Sequence, residues 1–536
     1  MVIEASSQRD EAVALDASYQ PLTPTSFLRR SARVFTDRTA VVDGDRRSTY
    51  GELWDRSRRL AGALAAAGVT PGEPVAVLAP NTHVLLEAHN GVPLAGARLV
   101  AMNVRLTAEE LATILRHSGS KLFIYDLDLE DAARGAVAFL EDPPRLIASG
   151  APDDDYEGML AAAEPLDLPV TDERSLISLN YTSGTTGEPK GVMYHHRGAY
   201  LQALAMAFHT RLEPDSVFLW TLPMFHCNGW CFTWGVTAAG ARHLCLRKIE
   251  PAEVWRLIEE EGVTHFNAAP TVLTMLAYDP AARPAPRPIR VATGGAPPSP
   301  TLLSRLAELN IDVTHLYGLT ETFGPAVVCD WHPEWDALPP DERARIKARQ
   351  GVDNVISEPL RVVDGEGNDV PADGTTMGEI AVRGNNLMLG YYRDPDATAR
   401  AIPDGWFRTG DLGVMHADSY IELKDRSKDI IISGGENIST VEVEQAVCSH
   451  PAVLEAAVIG IPDEKWGEVP AAYVALKEGR SASEEDIIEH ARTRLAHFKA
   501  PKAVVFGSLP KTSTGKIQKF VLREQAWAGR QKRIGG

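Results

Sequence analysis

The chain has 536 residues, 54 of them basic and 72 acidic, for a net charge of −18. That acidity argues against nonspecific binding to nucleic acid or to an anionic membrane, both of which call for basic surface, and leaves room for a local nucleotide site. With 44% hydrophobic residues there is apolar material for several cored domains.

No apolar run approaches the roughly 18 residues of a membrane span. The N-terminus carries several acids and no apolar signal segment, so a cytoplasmic protein is expected. The cysteines, Cys227, Cys231, Cys245, Cys329 and Cys448, form no paired CxxC sets and are expected to be reduced core thiols.

In chain order, 27–35 reads as a helix and 39–44 as a strand with a turn. A second helix runs to Ala67 and stops at Gly68. Strands at 75–78, 99–103 and 121–125 alternate with helices at 82–95 and 108–118, which predicts a parallel α/β sheet. The acidic, Pro-containing stretch 151–172 reads as a loop.

Leu176, Ile177, Leu179 and Tyr181 then form a short buried strand. The eleven residues 181–191 that close it hold three glycines, four Ser/Thr hydroxyls and Lys190. Bare backbone, hydroxyls and a lysine are what a polyphosphate needs. The pattern is not a Walker A loop, because Lys190 follows Gly187 by three and is followed by Gly191 rather than a hydroxyl. A helix over 192–212 is expected next.

After a strand at 217–221 comes His226-Cys227-Asn228-Gly229-Trp230. Trp230 and Trp234, four apart, share a face if the segment is helical; they are either core tryptophans or, with His226 and Asn228, a pocket wall. A strand at 289–293 ends at Gly294-Gly295-Ala296, followed by a helix with Ser299 as N-cap and Pro300 at its first position. Such a junction admits a flat ligand against bare backbone. Tyr317, Gly318, Thr320 and Glu321 follow: an adenine could stack on Tyr317, and Glu321 could give oxygen to magnesium. The charged, Trp/Pro-rich stretch 330–350 reads as a surface excursion.

From 351 to 424 the texture is β-like, with turns at Asp364-Gly365, Asp373-Gly374 and Asp404-Gly405. Asp411, after Gly410, could accept from a ribose diol or simply be a turn aspartate. Five of the six residues 424–429 are charged, so the domain boundary is placed there: a large domain 1–424, a hinge 425–429 and a compact α+β lid 430–536. The lid holds Gly434-Gly435-Glu436, a capping box from Ser439 to Glu442, strands at 453–461 and 471–476, a helix at 483–495, and Lys516 on a Gly/Thr-rich loop.

Together these segments resemble the adenylate-forming superfamily of acyl-CoA synthetases, nonribosomal adenylation domains and firefly-type luciferases. The likeness rests on 181–191, 294–296, 317–321, 406–411, 425–428 and 514–516, in the family's order over nearly the whole chain. Within it the chain is most similar to short/medium-chain acyl-CoA ligases and to methylmercaptopropionate ligases, which share the His226–Trp230 segment.

The resemblance implies an α/β fold: a large N-terminal domain of parallel α/β subdomains plus a β-rich subdomain, with a small mobile α+β lid. It implies ATP, Mg²⁺ and CoA as cofactors and co-substrates, a carboxylic acid as partner, and an acyl-AMP intermediate. Thr182, Ser183, Gly184, Thr185, Thr186, Gly187 and Lys190 would hold the phosphates. Gly295, Ala296, His315, Tyr317, Gly318 and Thr320 would take the adenine side, and Asp411, Arg426 and Lys428 the ribose and hinge side.

Thr182 and Glu321 would flank the metal, and Lys516 would be catalytic. His226, Asn228, Gly229, Trp230 and Trp234 would line the acyl pocket, and Gly434, Gly435 and Glu436 the CoA tunnel. Some relatives have a lysine where this chain has Ile432. Alternatives are a methylmercaptopropionate or aryl-CoA ligase, a module that loads a carrier protein, a luciferase, and a catalytically silent acyl or nucleotide sensor. Dimers are common among such proteins, which admits a homodimer.

Overall fold

The computed structural model describes residues 19–182, 189–295, 298–426, 429–433, 436–463, 465–511 and 517–528. Its larger part is built on two sheets. One has six strands in the order Arg145–Ser149, Leu122–Asp126, Pro74–Leu78, Arg98–Ala101, Leu176–Thr182, Lys190–His195. The other has nine, and its middle strands, Val217–Leu219, His265–Ala268, Ile289–Thr293 and Ile311–Leu319, are parallel neighbours. Strands alternating with helices explain this, since a parallel pair needs a crossover. The helix Ala108–Ser118 shows how local the signal is: Thr107 and Glu110 close a capping box, and Gly119 ends it at φ 76°.

A four-stranded antiparallel sheet, Arg361–Val363, Met377–Val382, Phe407–Met415 and Ile421–Arg426, follows as the β-like texture requires. A last sheet belongs to the small C-terminal domain; its longest strands are Val453–Asp463 and Gly467–Leu476, with Ala503–Phe506 on the latter's edge. No helix among the described residues is long and apolar enough to cross a membrane.

Several expectations are corrected. The stretch after the Gly/Thr-rich segment is not helical from 192: Lys190–His195 is a strand that returns antiparallel along Leu176–Thr182, and the helix is His196–His209. The β-branched and aromatic residues Val192 and Tyr194 pack into the core, and the His195 side chain caps the helix by accepting from Gly198 N–H at 2.9 Å. The stretch 151–172 contains a helix, Asp155–Ala162, capped by Asp154. The excursion at 330–350 ends in the helix Pro340–Ala348. Of the lid's capping box, Ser439 accepts from Glu442 N–H, but the Glu442 carboxylate turns to Lys499, 2.7 Å away.

Trp230 and Trp234 do not share one helical face. Cys227, Asn228, Gly229, Trp230 and Cys231 have φ of 50°, 52°, 61°, 55° and 62°, a left-handed turn that gives way at Phe232–Ala239 to a right-handed helix. Left-handed backbone costs about 1–2 kcal/mol per non-glycine residue, so packing must hold this turn. It does: a Cβ at Gly229 would lie 2.6 Å from the Trp220 ring, and Asn228 is sealed among Ser178 and Asn180.

Candidate active site

Thr182, Gly295 and Tyr317 stand at or just beyond the carboxyl ends of parallel strands, where open α/β sheets bind ligands. Thr182 and Lys190 are direct partners across the Leu176–Thr182/Lys190–His195 pair, so the two ends of the Gly/Thr-rich loop stand side by side. Antiparallel partners keep their Cβ atoms about 4.5–5.5 Å apart. Ser183, Gly184, Thr185, Thr186 and Gly187 lie outside the described residues, as do Ala296, Lys428, Gly434, Gly435 and Lys516.

In the other sheet, Gly295 follows Ile289–Thr293 at φ 88° with open space where a Cβ would stand, an exposed backbone edge for a flat ring. The neighbouring strand Ile311–Leu319 carries Tyr317 and Gly318 to the same end. A Cβ on Gly318 would sit 2.0 Å from the Gly324 carbonyl oxygen, so the hairpin closes only over glycine.

Tyr317 donates to Asp411 Oδ2 at 2.7 Å, and Arg426 Nε pairs with Asp411 Oδ1 at 3.0 Å. Asp411 and Arg426 are cross-strand partners, which is why the pair forms. Burial, together with the Asp411 carboxylate, holds the Tyr317 phenol well above its ordinary value, so it stays a donor. Each carboxylate oxygen has a second lone pair, so Asp411 can also accept from a ligand's hydroxyls.

A second unit joins the two sheets. Lys190 Nζ lies 4.7 Å from the centre of the Tyr391 ring, and the Tyr391 hydroxyl donates to Glu321 Oε1 at 2.7 Å. The Tyr194 hydroxyl donates to the Thr320 carbonyl at 2.6 Å, and Cys227 Sγ lies 3.6 Å from Thr320 Oγ1. Burial pushes the Cys227 thiol up to about 12, so it is no nucleophile at neutral pH.

Other candidates fall elsewhere. His315 is buried beneath the site with Nδ1 3.0 and 2.9 Å from the Ala348 and Arg349 carbonyl oxygens; burial pulls its pKa down to about 4, so it is a neutral anchor of the strand. Trp234 is fully buried in the core, donating to the His89 carbonyl at 3.0 Å. The Asn228 carboxamide oxygen accepts from Ser178 and Asn180, both at 2.8 Å, on the strand that leads to Thr182.

Trp230 is buried in the same core, with its indole packed against Gly294 and Gly324, where an added Cβ would meet it at 3.3 and 3.0 Å. His226 precedes the left-handed turn. Glu436 is exposed at the start of the lid's strand Glu436–Ile438. Sequence reasoning passed over Tyr391; its only signal was an aromatic pair, Tyr391-Tyr392, after Gly390 between two β segments.

A large α/β domain followed by a small C-terminal one is the arrangement of the adenylate-forming enzymes that this fold resembles. The model of the AMP-binding enzyme family matches residues 28–392, and that of the AMP-binding enzyme C-terminal domain matches 442–516.

The chain is 45% identical to the peroxisomal acetate/butyrate–CoA ligase AAE7 of Arabidopsis thaliana, over 96% of each chain. It is 44% identical to 4-hydroxybutyrate–CoA ligase 2 of Metallosphaera sedula, again over 96% of each. The solved structure of ATP-bound MatB from Rhodopseudomonas palustris matches with a TM-score of 0.82 at 27% identity, over 94% of this chain and 98% of that one. A Mycobacterium tuberculosis fatty acyl CoA synthetase matches at 0.72 and 34%, over 95% and 99%.

The chain belongs to the AMP-binding enzyme family and, within it, to the acid–thiol ligases that use ATP and CoA.

Proposed function

We propose that the protein joins a short- to medium-chain carboxylic acid to CoA through an acyl-AMP intermediate, with Trp230 closing the acyl channel. The observation that carries the size limit is the Trp230 indole wedged between Gly294 and Gly324, where an extended acyl chain would otherwise run. The relatives' names, with acetate, butyrate and 4-hydroxybutyrate, support the same range. Readings as a carrier-loading module or a silent sensor have no such support.

In this reading Lys190 and the loop from Thr182 hold the β- and γ-phosphates. Gly295 and Tyr317 hold adenine, and Asp411 and Arg426 hold ribose. Adenylyl transfer needs positioning and charge stabilisation more than covalent help. One carboxylate oxygen of the acid attacks the α-phosphorus, and the bond to pyrophosphate breaks. Lys516 donates to the charge that develops. The Thr182 hydroxyl and Glu321 carboxylate are hard oxygen donors, which fit a magnesium ion that fills its shell with phosphate oxygens and water. Bound there, the ion would offset the charge of the departing pyrophosphate.

In the second step the deprotonated CoA sulfur attacks the acyl carbon, and the bond to AMP breaks. Rotation about the hinge 425–429, with Lys428 as pivot, would withdraw Lys516 and bring Gly434, Gly435 and Glu436 beside the thiol. A cytoplasmic location and a homodimer belong to the proposal; fractionation and sedimentation test them.

The test of the acid is a panel from acetate to palmitate with ATP, Mg²⁺ and CoA, following AMP, pyrophosphate and thioester. Rates should peak between acetate and octanoate, and Trp230→Ala should move the peak to longer acids. Palmitate faster than butyrate in the unaltered protein would refute the size limit, and pyrophosphate exchange without thioester would favour carrier loading.

A further inference from the structure

The ring of Tyr391 stands between two groups that the reading above gives to the triphosphate and its metal. We propose that Tyr391 is a positioning residue: its face holds the Lys190 ammonium, its hydroxyl holds the Glu321 carboxylate, and one rigid side chain thereby sets both before ATP arrives. The inference rests on the assignment of Lys190 to phosphate and Glu321 to metal.

The geometry is specific at both ends. The ammonium lies 4.7 Å from the ring centre, within the roughly 6 Å reach of a cation–π contact. The phenol donates to Glu321 Oε1 at 2.7 Å, the length of a charge-assisted bond.

Tyr391 itself cannot wander. Its N–H donates to Thr398 Oγ1 at 2.9 Å, and the backbone on either side is stitched to the phosphate strand. Leu389 N–H donates to the Met193 carbonyl and Met193 N–H to the Gly390 carbonyl, each at 3.0 Å, while Tyr392 N–H reaches the Gly191 carbonyl at 2.7 Å. Met388 N–H donates to the Glu321 carbonyl at 2.9 Å. The same short segment therefore locates Glu321 by backbone and by side chain. Lys and Glu side chains are costly to order, and ordering them in advance strengthens whatever binds both.

The test is equilibrium binding of ATP, with Mg²⁺ and with chelator, in the absence of acid and CoA so that nothing turns over. Tyr391→Phe keeps the ring and loses the hydroxyl. It should leave metal-free affinity within about twofold and remove about 10- to 150-fold of the affinity that Mg²⁺ adds, the scale of one hydrogen bond to a charged group. Tyr391→Leu should also weaken metal-free binding, because Lys190 loses its seat; should that variant fold poorly, Tyr391→Phe decides alone.

In a Glu321→Gln background, Tyr391→Phe should change the Mg²⁺ gain no further. A Tyr391→Phe protein with an unaltered Mg²⁺ gain, or with equal losses in both conditions, overturns the proposal, since a purely structural residue would leave the ratio unmoved. A wild-type protein that forms thioester but gains nothing from Mg²⁺ in ATP binding overturns the metal assignment beneath it. One that binds no ATP at all overturns the phosphate assignment as well.

Discussion

Asp411→Asn isolates the charge at the centre of the proposed nucleotide site while keeping its shape. In the structure Asp411 is 2% exposed, with Tyr317 on one oxygen and Arg426 on the other. A hydrogen bond to a charged group contributes about 1.5–3 kcal/mol and a neutral one about 0.5–1.5, so each contact weakens by about 1 kcal/mol. Arg426 is about a third exposed, so solvent screens part of its loss.

With the Tyr317 contact and the ribose hydroxyls, the variant should lose about 2–3 kcal/mol of ATP binding, or about 30- to 150-fold. The assay is KM for ATP in thioester formation, with KM for CoA as internal control. ATP should weaken by that factor while CoA stays within about twofold. Tyr317→Phe removes one donor and keeps the charge, so its loss should be smaller, and the two changes combined should fall short of additive. An ATP KM within about threefold of wild type, or equal losses for ATP and CoA, would refute the role given to this carboxylate.

Burial alone would lower the pKa of His83, but the Asp43 carboxylate at 2.6 Å and Glu157 at 3.8 Å raise it to about 9, even with Arg46 at 3.2 Å. A raised folded-state pKa stabilises fully below the unfolded value near 6.5 and loses that contribution as pH climbs through 9. The thermal midpoint should therefore fall between those pH values, and His83→Gln should flatten that fall; parallel slopes would count against it.

At Asn228, alanine leaves the Asn180 and Ser178 donors without their acceptor and keeps a side chain at φ 52°. Asn180 can still reach the Ser178 hydroxyl at 3.1 Å, so about one orphaned donor, about 1–3 kcal/mol, is the expected loss. Glycine removes the backbone strain, so Asn228→Gly should melt above Asn228→Ala; the reverse order would show that the left-handed turn is not strained.

Much of this protein is written locally. The alternation of strands and helices in the first 125 residues, the capping residues around Ala108–Ser118 and the Gly/Thr-rich segment before Lys190 were legible because each depends on neighbours a few positions away. The same is true of the motifs that mark the family, whose order alone pointed to ATP, CoA and an acyl-AMP.

What the sequence could not settle were the destinations of side chains. Trp230 and Trp234 look equivalent four residues apart, yet a change of backbone hand at Cys231 sends one against Gly294 and Gly324 and the other to the His89 carbonyl. His315 sits within a motif but turns to carbonyls more than thirty residues on. Tyr391 had no distinguishing pattern, because Lys190 and Glu321 meet it only once two sheets have packed. Periodicity records which face of an element is apolar. The hand of a turn and the partner of a buried polar group depend on segments far apart in the chain, and those are decided only by tertiary packing.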